Sequence, residues 1–168
     1  PEVVTFGTPG ILAIMHGGLM DVSIHPNYAT NSWVYISYLG VDGLAKVSRL
    51  KVQDNKANQL ETIFKTKNQN YTGNGMRIVW EDSTHFFLGI GNPDWSTSTN
   101  PALYAQDIND DAGKIHRLME DGSIPTDNPI FEKFTSPTTI WSYGHRDVQG
   151  LYLEDSTNIL FGIEHGPQ

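Results

Sequence analysis

The chain has 168 residues, no cysteine, and 11 Lys and Arg against 19 Asp and Glu, for a net charge of −8. It is long enough for one domain with a real core, but its acidic balance without a basic cluster excludes the phosphate-neutralising footprint of a nucleic-acid binder and a polybasic route to anionic membranes. The missing thiols exclude disulfides, thiolate nucleophiles and cysteine-held zinc or iron–sulfur centres, and no apolar run approaches the ~20 residues of a membrane-spanning helix.

Sixteen glycines, nine prolines and plentiful aromatics, with few runs long enough for a helix, favour an all-β protein with many turns. In chain order, Val3 to Phe6 and Ile11 to Met15 read as short strands around the turn Gly7-Thr8-Pro9-Gly10. Gly17 and Gly18 permit close backbone approach, and Leu19, Val22 and Ile24 supply apolar anchors. His25-Pro26-Asn27-Tyr28 reads as a loop, because a residue before proline is pushed away from helix. Trp33 to Tyr38, aromatic and β-branched, is the clearest strand. Val41-Asp42-Gly43 turns it, and Leu44 to Val52 is its partner. Asp54 to Gln59 reads as a polar connection, and Glu61 to Lys65 as a third strand. Lys67 to Asn74 is a polar loop carrying Asn70-Tyr71-Thr72, a glycosylation pattern that matters only in a eukaryotic secretory setting.

Met76 to Trp80 and Phe86 to Gly91 are strands across a polar turn. A longer loop follows from Asn92 through Ala105. Gly113 to Leu118 is the next strand, and Ile124 to Pro129 is extended and proline-pinned. Ile140 to Tyr143, Leu151 to Leu153 and Ile159 to Ile163 complete a set of ten to twelve short strands. Groups of antiparallel strands separated by longer loops fit propeller blades, although exact repeats are not visible and a sandwich or barrel stays open.

The polar residues that stand out lie between Trp141 and Gln168. His145-Arg146-Asp147 sits between glycines, and the segment closes on Glu164-His165-Gly166-Pro167. Polar groups at strand ends and glycine turns serve binding well, because strands hold them rigidly while turns expose them. Residue type alone favours a salt-bridged turn. His85 at a strand start and His116 within one read as surface or packed histidines. Asp107, Asp110 and Asp111 read as a solvated acidic loop or, less simply, a hard-metal cluster. No nucleophile elbow, P-loop or paired-histidine zinc motif is present.

Three segments resemble the soluble quinoprotein sugar dehydrogenases, the glucose/sorbosone dehydrogenase family, and most of all its aldose sugar dehydrogenase branch. The first runs from Gly17-Gly18-Leu19-Met20-Asp21-Val22 through His25-Pro26-Asn27-Tyr28 to Asn31–Tyr38. The second joins Ala105-Gln106-Asp107 to Gly113–Leu118 and Asp121–Pro129. The third sets Tyr143-Gly144-His145-Arg146 and Gln149-Gly150-Leu151 before Glu164-His165-Gly166-Pro167. Their order and spacing agree with the family over nearly the whole chain.

The resemblance implies about half of a six-bladed β-propeller of antiparallel four-stranded blades. It implies pyrroloquinoline quinone (PQQ) and calcium as cofactors, oxidation of an aldose at its anomeric carbon to a lactone, and a sugar substrate with a separate electron acceptor. It places Arg146 and Asp147 against the quinone, Asp147 standing where the family usually has Asn. The main-chain carbonyls of Gly166 and Pro167 fall at the calcium edge, and His16 falls in the sugar pocket where Gln is usual. No catalytic residue is assigned: aligning on Arg77 puts Gly73 where the family carries its general-base histidine.

The expected protein is therefore a divergent, periplasmic or secreted quinoprotein oxidoreductase. The alternative is a catalytically inactive propeller that binds a carbohydrate or a protein partner. A calcium-dependent propeller hydrolase or lactonase is a weaker third reading. Residues 1–168 are expected to form a single partial propeller, a fragment or processed form completed by further blades from the same or another chain.

Overall fold

A computed structural model describes residues 9–14, 17–54, 56–69, 75–92 and 102–166. The first sheet holds β1 (Leu19–Ile24), β2 (Trp33–Leu39), β3 (Ala45–Gln53) and β4 (Lys56–Lys65). The second holds β5 (Gly75–Trp80), β6 (His85–Ile90), β7 (Lys114–Met119) and β8 (Ile140–Tyr143). A two-stranded sheet, β9 (Val148–Glu154) with β10 (Ile159–Glu164), follows. Every pairing is antiparallel, and the spatial order within each sheet is the chain order. One-turn helices α1 (Tyr28–Asn31) and α2 (Ala102–Gln106) sit in the loops.

Successive sheets meet through their first strands, with β5 lying against both β1 and β9. Meanders stacked face to face around a shared line of first strands are propeller blades. The described residues thus form two whole blades and the inner half of a third.

Strand β6 shows why the sequence dictates this stacking. A blade between two others is covered on both faces, so its strands lose the polar alternation of a half-exposed sheet. Phe86, Leu88 and Ile90 enter one core with Tyr35, Val47 and Phe64 of the first blade. Phe87 enters the other core, with Ile115, Val148, Leu151 and Leu153. Each such side chain, fully buried, contributes roughly 1.5–3 kcal/mol.

Polar side chains tie the first seam. His25, fully buried, accepts at Nδ1 from the Asn27 amide and from Asn31 Nδ2, both at 2.9 Å. The remaining nitrogen, Nε2, therefore carries the proton and donates it to Glu120 Oε2 at 2.9 Å. The Glu120 carbonyl accepts from Tyr35 Oη at 2.7 Å and from Arg49 Nη1 at 3.1 Å. Burial pushes the Tyr35 phenol up to about 12, so it acts as a donor throughout the physiological range.

Two expectations need correction. Asp54 to Gln59 was expected to connect strands, whereas Lys56 onward is the first half of β4. An outermost strand has solvent on most sides, so burial leaves little hydrophobic pattern there; only Ile63 and Phe64 turn inward. Of Ile11 to Met15, expected as a strand, residues 11–14 make only an isolated bridge between Ile11 and Gly40, while Met15 and the Val3 to Phe6 strand lie outside the described residues.

Candidate functional site

The candidate site lies where the β8–β9 turn meets the end of β10. Gly144 closes β8 with φ +89°, a left-handed conformation that a side chain would strain. It delivers His145, Arg146 and Asp147 into a turn gripped from three sides. From the stem of the long β6–β7 loop, the Ala105 carbonyl accepts the Gly144 amide at 2.9 Å and the Gly113 carbonyl accepts the His145 amide at 3.1 Å. The Asn92 amide donates to the Arg146 carbonyl at 2.5 Å. From β10, Glu164 Oε2 accepts the Arg146 amide at 2.8 Å, and the Asp147 carbonyl accepts the His165 amide at 3.0 Å. Gly113 makes the approach possible: a Cβ there would lie 2.5 Å from the His145 carbonyl oxygen.

A side-chain relay runs beneath the turn. His145 Nδ1 lies 2.5 Å from Glu164 Oε1, and its Nε2 lies 2.8 Å from Ser142 Oγ. The carboxylate only accepts, so Nδ1 carries a proton and donates it, while Nε2 and the Ser142 hydroxyl share the second hydrogen bond. The salt-bridged turn that residue type suggested is present, and it is the frame that carries Arg146.

Lys114 fixes the loop stem. Fully buried, its ammonium donates to the carbonyls of Tyr104, Ala105 and Ala112 at 2.7 to 3.0 Å. Burial pushes it down to about 8, against the opposing pull of Asp110, Asp111 and Asp107. Beside it, buried His116 donates from Nε2 to the Asp111 carbonyl at 3.0 Å and accepts Thr139 Oγ1 at Nδ1. Burial holds its pKa below the usual range.

Asp110 and Asp111 do not converge with Asp107 as metal ligands among the described residues. They reach across the first seam instead. Asp110 Oδ2 accepts Asn68 Nδ2 and Asp111 Oδ2 accepts the Lys67 amide, each at 2.7 Å. The group that does gather possible ligand atoms, Glu81, Asp82 and His85, is engaged internally. Glu81 pairs with Arg117 at 2.6 Å, and Asp82 caps the Thr84 and His85 amides.

Of the residues singled out from the sequence, Arg146, Asp147 and Gly166 come together on adjoining backbone segments. His16, Pro167, Gly73 and Asn70 lie outside the described residues. Asp147 Oδ1 is buried and has no hydrogen-bond partner among the described residues. Gly166 is exposed, with open space where a Cβ would project. Sequence reasoning missed the supports, Glu164, Ser142 and Lys114. Counting the β9–β10 hairpin register back from its turn brings Glu164 opposite Gln149, already near the turn, but the bulge that moves it opposite Val148, one residue from Asp147, leaves no sequence signal.

The description of Glucose / Sorbosone dehydrogenase proteins matches residues 3–168. The chain belongs to the glucose/sorbosone dehydrogenase family. Among relatives, it is 34% identical to aldose sugar dehydrogenase YliI of Escherichia coli over 96% of this chain and 44% of that protein. The crystal structure of the soluble E. coli aldose sugar dehydrogenase in its apo-form superposes with a TM-score of 0.81, covering 96% of this chain and 47% of that one, at 34% identity. The PQQ-bound form of the Streptomyces coelicolor aldose sugar dehydrogenase gives a TM-score of 0.79 at 28% identity, covering 95% of this chain and 45% of that one. The chain thus spans about half the length of the relatives it matches, and the all-β half-propeller expected from the sequence is the fold observed.

Proposed function

We propose that this chain is the cofactor-bearing half of a quinoprotein sugar dehydrogenase that oxidises an aldose at its anomeric carbon to a lactone, with PQQ and calcium. The observation that carries the reading is the Arg146 turn, fixed on both sides and set beside Gly166, in a chain whose Streptomyces relative has been solved in PQQ-bound form.

The donor set fits the group. The Arg146 guanidinium is a planar fork suited to carboxylate and quinone oxygens, and its permanent charge favours electron build-up nearby. The buried Asp147 oxygen, without a hydrogen-bond partner among the described residues, accepts only, so it suits a cation rather than an anionic ring. With the carbonyls of Gly166 and Pro167 it would supply hard oxygen ligands for calcium. When bound, the quinone supplies the two-electron acceptor and calcium polarises it. The chain's own contribution is to hold that pair. Electrons would then leave to a separate acceptor.

Further blades, from the same or another chain, would complete the ring. The bare outer faces of β1 and of the β9–β10 sheet support this. Gly73 at the family's general-base position supports a second reading, a catalytically inactive propeller that binds a carbohydrate or protein. A missing general base costs about 10²–10⁴ in rate.

Reconstitution of the ring with PQQ and calcium separates the two. The dehydrogenase reading expects a shift in quinone absorption on binding and dye reduction driven by aldoses. Quinone binding without dye reduction leaves the inactive propeller, and no binding at millimolar calcium overturns the cofactor site itself.

A further inference from the structure

We propose that Glu164 is a positioning residue for Arg146, holding the turn so that the guanidinium meets an anionic cofactor in one orientation. The inference rests on the reading of Arg146 as the quinone's partner, and it adds a residue to which no role has been assigned.

Three features of the geometry carry it. The Glu164 carboxylate serves two donors of the same turn, the Arg146 amide at 2.8 Å and His145 Nδ1 at 2.5 Å. One side chain therefore fixes both the peptide entering Arg146 and the ring preceding it. With the Arg146 carbonyl held by the Asn92 amide, the backbone on both sides of the arginine is fixed before a ligand arrives. Preorganisation of this kind lowers the entropy cost of binding.

The second feature is a β-bulge that sets Glu164 in place. The β9–β10 register runs regularly from Ile159 opposite Glu154 to Ile163 opposite Gly150, then shifts so that Glu164 faces Val148. Bulges beside binding sites re-aim side chains, and this one puts Glu164 level with the turn.

Third, the hairpin does not need Glu164 to stand. The buried side chains Val148, Leu151 and Leu153 anchor it, and Glu164 lies at its exposed end with a side chain one-third accessible. Removing the carboxylate therefore loosens the turn more than it destabilises the fold.

A double-mutant cycle on PQQ binding in the completed, calcium-loaded propeller tests the idea, read by quinone absorbance and tryptophan quenching rather than by turnover. Arg146→Ala is expected to weaken PQQ binding at least about tenfold. Glu164→Ala is expected to weaken it about tenfold alone but less than about twofold in the Arg146→Ala background, because the carboxylate acts only through the arginine. Glu164→Gln keeps an acceptor for the Arg146 amide and should bind within about threefold of the parent. Glu164→Asp keeps the charge but is one methylene shorter; it cannot serve both donors and should resemble Glu164→Ala.

If Arg146→Ala binds PQQ as the parent does, the reading of Arg146 falls and takes this proposal with it. If Arg146→Ala weakens binding while Glu164→Ala is neutral, or costs the same in both backgrounds, only the positioning role is overturned. Should Glu164→Ala fail to fold, the contrast between Glu164→Gln and Glu164→Asp decides the matter alone.

Discussion

Asp147 is where a single residue changes what the turn can hold. An amide at that position offers both a donor and an acceptor, whereas a carboxylate only accepts, and here one of its oxygens is buried with no hydrogen-bond partner among the described residues. A buried acceptor left unsatisfied costs about 1–3 kcal/mol, more when charged. Within the proposed site, calcium would offset that cost. Asp147→Asn is therefore expected to weaken calcium about tenfold, within the range seen when a metal's supporting groups are removed. Calcium titration at fixed PQQ measures it. An unchanged calcium midpoint would place Asp147 outside the metal site. The sequence made Arg146 and Asp147 visible because a charged triplet between glycines stands out. Lys114 gave no such signal: a lysine among aspartates reads as solvated until the fold buries it under three carbonyls.

At the scale of elements, legibility followed burial. Strands β2, β3, β5, β6 and β7 carry aromatic and β-branched residues because neighbouring blades cover them, and their positions could be read to within a residue or two. Strand β4, outermost in its sheet, carries almost no pattern, and its first half passed for a connection. The seams between blades were illegible for another reason. They depend on pairs such as His25–Glu120, 95 residues apart, which no local pattern announces. The β6–β7 loop stem is the element on which the site depends, and Lys114 is its pin. Lys114→Met leaves the carbonyls of Tyr104, Ala105 and Ala112 short of a donor and should destabilise the protein by about 2–4 kcal/mol. Lys114 titrates at about 8 when folded, against an ordinary 10.5. Between those values the unfolded chain keeps a proton that the folded chain has released, so stability contributed by Lys114 rises with pH across the window and is lost as pH falls toward 8. The whole window is worth on the order of 3 kcal/mol. Urea unfolding at pH 7.5 and 9.5 should show the gap between parent and Lys114→Met widening at the higher pH. A flat or narrowing gap would mean that the lysine does not titrate there.

Across the whole molecule, the decisive fact is that both outer blade faces leave apolar side chains exposed. Leu19, Val22 and Ile24 on β1 are exposed, as are Tyr152, Ile159, Phe161 and Ile163 on the β9–β10 sheet, the last at 72%. The seam that is complete shows what such faces are for: it packs Tyr35, Val47 and Phe64 against Phe86 and Leu88, with no comparable side chain left in water. Covering the four residues on the β9–β10 face, each already partly shielded, would gain about 1.5 kcal/mol apiece, or roughly 6 kcal/mol together. That is comparable to the lower end of the net stability of an ordinary domain, about 5–15 kcal/mol, so leaving the face bare is a large loss on that scale. Strand β10 adds the row of unpaired backbone groups of a sheet edge, a template for pairing with another chain. Residues 1–168 alone are therefore expected to self-associate, and light scattering after size exclusion should show oligomers or aggregates at micromolar concentration. Phe161→Lys with Ile163→Lys should suppress that association without restoring stability, whereas supplying the remaining blades in the same chain should give a monomer with a cooperative unfolding transition. A monodisperse, stable 168-residue monomer would show that this half-ring closes its own faces, and the proposed need for further blades would be wrong.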